Sequence, residues 1–87
     1  MKRVEVKWLD AITTSGWYDK EEAIKIDSVI GTSLGYLVHK DRDKVVIAQS
    51  AGNDSVGYIF TLPKCCVLSI TELVPTPQLS LKEDGDN

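Results

Sequence analysis

The stretch Val56-Gly-Tyr-Ile-Phe-Thr-Leu-Pro-Lys-Cys-Cys-Val-Leu-Ser-Ile70 decides the fold class. Val56, Tyr58, Phe60 and Leu62 alternate with Gly57, Ile59 and Thr61, the period of two of a half-buried strand. Pro63 cannot donate to a sheet ladder, so Pro63-Lys64 marks a corner. Beyond it Cys66, Leu68 and Ile70 resume the inward rhythm, in a further strand ending near Leu73.

Upstream, Ser50 to Ser55 supplies Gly, Asn and Asp for a turn. Val45-Val-Ile-Ala-Gln49 is apolar on both faces, which predicts a central strand. Lys40-Asp-Arg-Asp-Lys44 is a charged hairpin loop. Before it, Leu34, Tyr36 and Val38 alternate with Gly35, Leu37 and His39, another strand. Asp27 to Ser33 reads as a connector punctuated by Gly31. Asp19 to Ile26 reads as one or two helical turns, with Asp19 as cap and Glu22 at the capping-box position. Its Ala23 and Ile26 are expected to face the core, with Trp17 stapled down beside them. At the start, Val4, Val6 and Trp8 share one face of a strand over Arg3–Asp10, opposite Arg3, Glu5 and Lys7.

Eighty-seven residues allow one domain. The expected division is a β domain over 1–74 and a flexible acidic tail over 75–87, where Pro75, Pro77 and a polar terminus end regular structure. Five short strands in so small a domain leave edges to protect. Curling into a barrel removes most of the edge and fills the centre from one set of side chains. The predicted fold is therefore mainly β, a five-stranded antiparallel barrel of SH3-like or Sm-like layout, with one short helix after strand 1. The Leu62-Pro63-Lys64 corner falls where such barrels place a 3₁₀ turn. Retained edges also predict a homo-oligomer.

The hydrophobic fraction of 43% and charged fraction of 26% are those of a globular chain. Neither an apolar signal core nor a membrane-length apolar run is present, so a cytoplasmic location away from membranes is expected. Cys65 and Cys66 are adjacent. Within an extended strand they point apart, one into the core and one out, as reduced thiols. They lack the Cys-x-x-Cys spacing and further ligands of a metal site. The net charge is −3, of which the tail carries −2 through Lys82 against Glu83, Asp84 and Asp86. A near-neutral body is poor at nonspecific duplex binding.

No catalytic constellation forms. His39 is the single histidine, set between Val38 and Lys40 beside a charged turn, and a general base needs both an orienter and a nucleophile in reach. Gly31-x-x-x-Gly35 lacks the Lys and Ser/Thr of a phosphate loop. The chain reads as non-enzymatic, with no cofactor. Binding is the better expectation, and the candidate ligand-binding residues are Trp17, Tyr18, Tyr36, His39, Gln49, Ser50 and Lys64. Trp and Tyr offer stacking planes with a polar tip. Trp17 and Tyr18 sit in a Gly-flanked loop. Gln49-Ser50 is a polar pair closing an apolar strand, aimed at a ligand or satisfying a turn. Lys64 provides a cation at the corner, or blunts an edge strand. The simpler reading of His39 is an exposed strand end, and that of Trp8, Tyr36 and Tyr58 is core packing, because they share faces with Val, Leu and Phe.

Trp8-Leu9-Asp10, Gly16-Trp17, Gly35-Tyr36-Leu37-Val38, Ala48-Gln49-Ser50 and Leu62-Pro63, in that order, resemble a class of short bacteriophage- and prophage-encoded proteins. The resemblance spans residues 4 to 73. It implies an accessory protein that works by binding, either inhibiting a host protein or sequestering a small nucleotide-type defence signal in the host cytoplasm. The alternative is an Sm-like ring on RNA or single-stranded DNA. Lys2, Arg3, Lys7, Lys40, Arg42 and Lys44 would meet phosphate there, although acids interleave with them.

Overall fold

A computed structural model describes residues 1–75. The acidic tail expected at 75–87 falls, beyond Pro75, outside the described residues. The elements are β1 (Arg3–Asp10), α1 (Lys20–Ile24), β2 (Val29–Lys40), β3 (Lys44–Ala51), β4 (Val56–Pro63), a 3₁₀ turn (Lys64–Cys66) and β5 (Val67–Glu72). All strand pairings are antiparallel, in one sheet ordered β4-β3-β2-β1-β5. The five strands and the short helix are those expected. The sheet is open, with β4 and β5 at its two ends. None of the described helices is long and apolar enough to cross a membrane.

The core is small. Val4 and Val6 of β1, Val45 and Ile47 of β3 and Leu62 of β4 form its buried cluster. Trp8, Leu37, Phe60, Val67 and Ile70 pack partly against it. The alternation of β1 and the centrality of β3 follow from apolar side chains on the faces that must lose water.

Several expectations change. The connector expected over Asp27–Ser33 is largely strand, because β2 begins at Val29 and pairs with β1 from Asp10↔Val29 to Arg3↔Tyr36. Gly31 does not break the chain there. It sits opposite Trp8, whose indole covers it, and a Cβ at 31 would lie 2.6 Å from the ring. The helix keeps its cap, since Glu22 N–H donates to Asp19 Oδ1 at 2.9 Å. Its Ala23 and Ile26, however, are exposed, and Trp17 is stapled to nothing, with 101% relative exposure.

In β5, Val67 and Ile70 face the core and Leu68 does not. A register shift between Lys7 and Trp8 inserts an extra residue there and reverses the alternation. Tyr58 leaves the inward face of β4. Its φ of 58° is the left-handed region, and its side chain is 78% exposed. Cys65 and Cys66 lie on the 3₁₀ turn rather than on a strand, Cys65 exposed and Cys66 half-buried.

Candidate functional site

β2 serves two partners in turn. Its residues 29–36 pair with β1, whereas pairing with β3 covers only Tyr36 to Lys40. From Gly35 towards Val29 the two strands part. The β3 residues that would continue the register, Gln49 to Ala51, stay with β4 through Ser50↔Gly57 and Ala51↔Val56. Gly35 lies at the point of divergence, where a Cβ would meet the Ala48 carbonyl oxygen at 2.7 Å.

The parting strands open a groove of about 700 Å³. Trp8, Phe60 and Tyr58 give it aromatic walls, with Leu34, Ile47 and Ile59 between them. Thr32, Ser33 and Gln49 are polar residues of its lining, and among the described residues no charged one lines it. Trp8 is fixed twice. Its Nε1–H donates to Ser33 Oγ at 3.1 Å, and its ring meets Phe60 edge-on at 5.2 Å and 70°. Such a pair contributes about 0.5–1.5 kcal/mol beyond area burial.

The backbone adds polar groups. The Leu37 N–H donates to the Lys2 carbonyl at 2.8 Å, so odd-numbered β2 residues turn their backbone groups towards β1. The alternation turns those of Thr32 and Leu34 the other way, into the groove. Tyr58 faces Gln49 across β3 and β4, at the one position of that ladder without a Cα pair between Lys44↔Pro63 and Ala51↔Val56. A left-handed non-glycine residue costs about 1–2 kcal/mol. Residues held this way cluster at ligand sites, and here the conformation turns a phenol towards the groove.

The sequence offers seven candidate binding residues, and the structure divides them. Gln49 lines the groove, whereas Ser50, next to it, is not among the lining residues and pairs with Gly57 of β4. Tyr36, half-buried, pairs with both Arg3 and Ala48 at the centre of the sheet. His39 and Lys64 lie at the far end. His39 Nε2 meets Asp41 Oδ2 at 2.8 Å, and the Lys64 N–H donates to the Asp43 carbonyl at 2.9 Å. Asp43 is six residues from Gln49 along the strand, ~20 Å at ~3.3 Å per residue. Lys64 therefore does not share a site with Gln49-Ser50. Trp17 and Tyr18 project on the β1–β2 excursion.

The far end is a turn built on one carboxylate. Asp41 Oδ1 accepts from the N–H groups of Asp43 and Lys44, at 2.7 and 2.9 Å. With the His39 hydrogen bond as the largest cause, these hold its pKa at about 2. On the 3₁₀ turn, the neighbouring Cys65 thiol pushes the Cys66 pKa up. This opposes thiolate formation and nucleophilic use.

Trp8 faces both the groove and the core, whereas Tyr58 faces the groove alone, a division their period in the sequence left open. Thr32 and Ser33 fall in the stretch whose Gly31 reads as connector punctuation, and Leu34 reads only as a strand residue. Matching against protein-family models, curated proteins and solved structures finds no similar protein.

Proposed function

We propose that this chain is a non-enzymatic binding protein whose groove takes a flat, hydrogen-bonding ligand of nucleotide type. The observation that carries this reading is the groove's composition: three aromatic rings beside Ser33, Thr32 and Gln49, with no charge among its lining residues. Aromatic walls suit the π-face of a base, worth about 1–3 kcal/mol per stacked base. Amide and hydroxyl groups suit its edges, and the absence of cations places any phosphate outside the groove. In the context implied by the resemblance to phage proteins, the chain is an accessory protein of a bacteriophage, acting in the host cytoplasm. It sequesters a nucleotide-type defence signal there, or inhibits a host protein.

An SH3-like or Sm-like identity is the finer reading of the sheet. The 3₁₀ turn between β4 and β5 supports it. An Sm-like ring on RNA or single-stranded DNA is the less favoured function. Two of its candidate phosphate contacts already face acids, Lys2 at 3.7 Å from Glu72 and Arg42 at 4.0 Å from Asp43.

Calorimetry with a panel of mononucleotides, cyclic nucleotides and ADP-ribose-type compounds tests the proposal. Binding by the wild-type chain that Gln49→Ala weakens at least tenfold is the expected result. No heat from any member, together with salt-dependent binding of single-stranded RNA, would overturn it in favour of the ring.

A further inference from the structure

Every residue from 9 to 30 is exposed. Eight of them are large apolar residues, among them Trp17 at 101% and Ile24 at 79% relative exposure. α1 has no buried residue and no substantial packing against any strand. Five helical residues are far below the ~12–15 needed for a marginal helix in water. A capped helix presenting apolar side chains to solvent lacks a tertiary partner among the described residues of its own chain. A fully exposed Trp17 alone presents ~150–250 Å², and seven further exposed apolar side chains on the arm add to it. A standard interface takes ~800 Å² from each partner.

Charge selects that partner. Residues 9–30 carry Lys20 and Lys25 against Asp10, Asp19, Glu21, Glu22 and Asp27, a formal −3. The other described residues carry seven cations against five acids, a formal +2. Arm against arm would bring together two like charges, whereas arm against sheet joins opposite ones. The sheet also has an open aromatic groove beside exposed Leu34, Tyr58 and Ile59.

We propose that residues 9–30 form an exchange arm, which lies on the sheet of a second copy of this chain and places Trp17 in that copy's β2–β3 groove. A reciprocal exchange closes a two-fold dimer, in which each arm meets one groove. An indole occupies a fraction of 700 Å³, so the groove keeps room for a flat ligand, with the partner's Trp17 as an added stacking plane. The dimer itself does not rest on that ligand.

Sedimentation velocity on the full chain without ligand, from ~1 to ~100 µM, tests the proposal. The wild type is expected at twice the 9.6 kDa chain mass. Trp17→Ala on the arm, Ile24→Glu on the helix and Ile59→Glu on the groove side should each weaken the dimer at least tenfold. Circular dichroism should report an intact sheet for each, since all three side chains are exposed in the single chain. Mixing Trp17→Ala with Ile59→Glu should recover part of the dimer, because one intact arm then meets one intact groove. A monomeric wild type at ~100 µM would overturn the proposal. So would a dimer indifferent to Trp17→Ala, or one indifferent to Ile59→Glu, which an arm-on-arm contact would give. A failed nucleotide panel leaves these outcomes unaffected.

Discussion

Replacing Gly31 with alanine tests the account of how the groove is held. Gly31 and Trp8 are Cα partners across β1 and β2, and an added Cβ would sit 2.6 Å from Cε2 and Cζ2 of the indole. Ordinary contact begins at 3.4 Å, so the ring must retreat by about 0.8 Å or the strands must part, an overpacking that costs ~1–3 kcal/mol. Retreat also lengthens the 3.1 Å hydrogen bond to Ser33 and disturbs the edge contact with Phe60. Each of these is worth about 1 kcal/mol. Alanine returns ~0.5–1 kcal/mol by restricting the unfolded chain. The net expectation is a loss of about 2 kcal/mol, or ~10–15 °C in Tm for a domain of this size. Urea unfolding at one fixed protein concentration measures it, because association would itself add stability. Gly57→Ala is the control, as nothing lies within 4 Å of its Cβ. Trp8→Phe removes the ring atoms that clash, so Gly31→Ala should cost less than ~1 kcal/mol in that background. Equal costs in both backgrounds, or a Gly31→Ala protein as stable as wild type, would refute the reasoning.

Gly35→Ala should cost more than Gly31→Ala, because its Cβ meets the Ala48 carbonyl at 2.7 Å and backbone cannot turn aside as a side chain can; the same urea series ranks the two. Tyr58→Gly relieves a left-handed residue, so stability should hold or rise by ~1 kcal/mol while nucleotide binding falls, and a large drop in Tm would contradict the assigned strain. The Asp41 carboxyl is held at about 2 against the usual 3.8, so its stabilisation of the β2–β3 turn is complete above the higher value and lost as pH falls through the lower one. Carbon-detected NMR should find its midpoint near 2, and a midpoint at 3.8 or above would remove the turn's assigned role. Asp19→Ala removes the α1 cap, typically ~1 kcal/mol; since α1 hardly touches the sheet, it should weaken self-association while leaving the single chain's Tm unchanged.

The strands were legible where one face loses water and the other does not, as along Val4-Val6-Trp8, or where both are covered, as along Val45–Ala48. The Pro63 corner was legible because a missing N–H ends a ladder. Val29–Ser33 was not, because Gly31 yields to an indole that arrives from another strand, and no local pattern announces that. Tyr58 and Leu68 were misplaced for a related reason. A left-handed residue or an extra residue reverses the alternation, and both are set by partners across the sheet. Gln49-Ser50 stood out as polar groups where apolar ones were due, and Gln49 does line the groove. Lys64 and His39 looked equally eligible, but their distance from it depends on register, which a single strand's sequence does not contain.

The divided pairing of β2 also has a consequence for the timescales on which its amides meet solvent. Odd positions 31, 33 and 35 bond to β1, while Thr32 and Leu34 turn their N–H groups into the groove. Hydrogen exchange along this one strand should therefore alternate, slow at odd positions and fast at even ones, until Tyr36, where β3 takes over the second side. A bound occupant that accepts from Thr32 and Leu34 would erase the alternation. These two amides thus report occupancy of the groove residue by residue, without any label on the ligand.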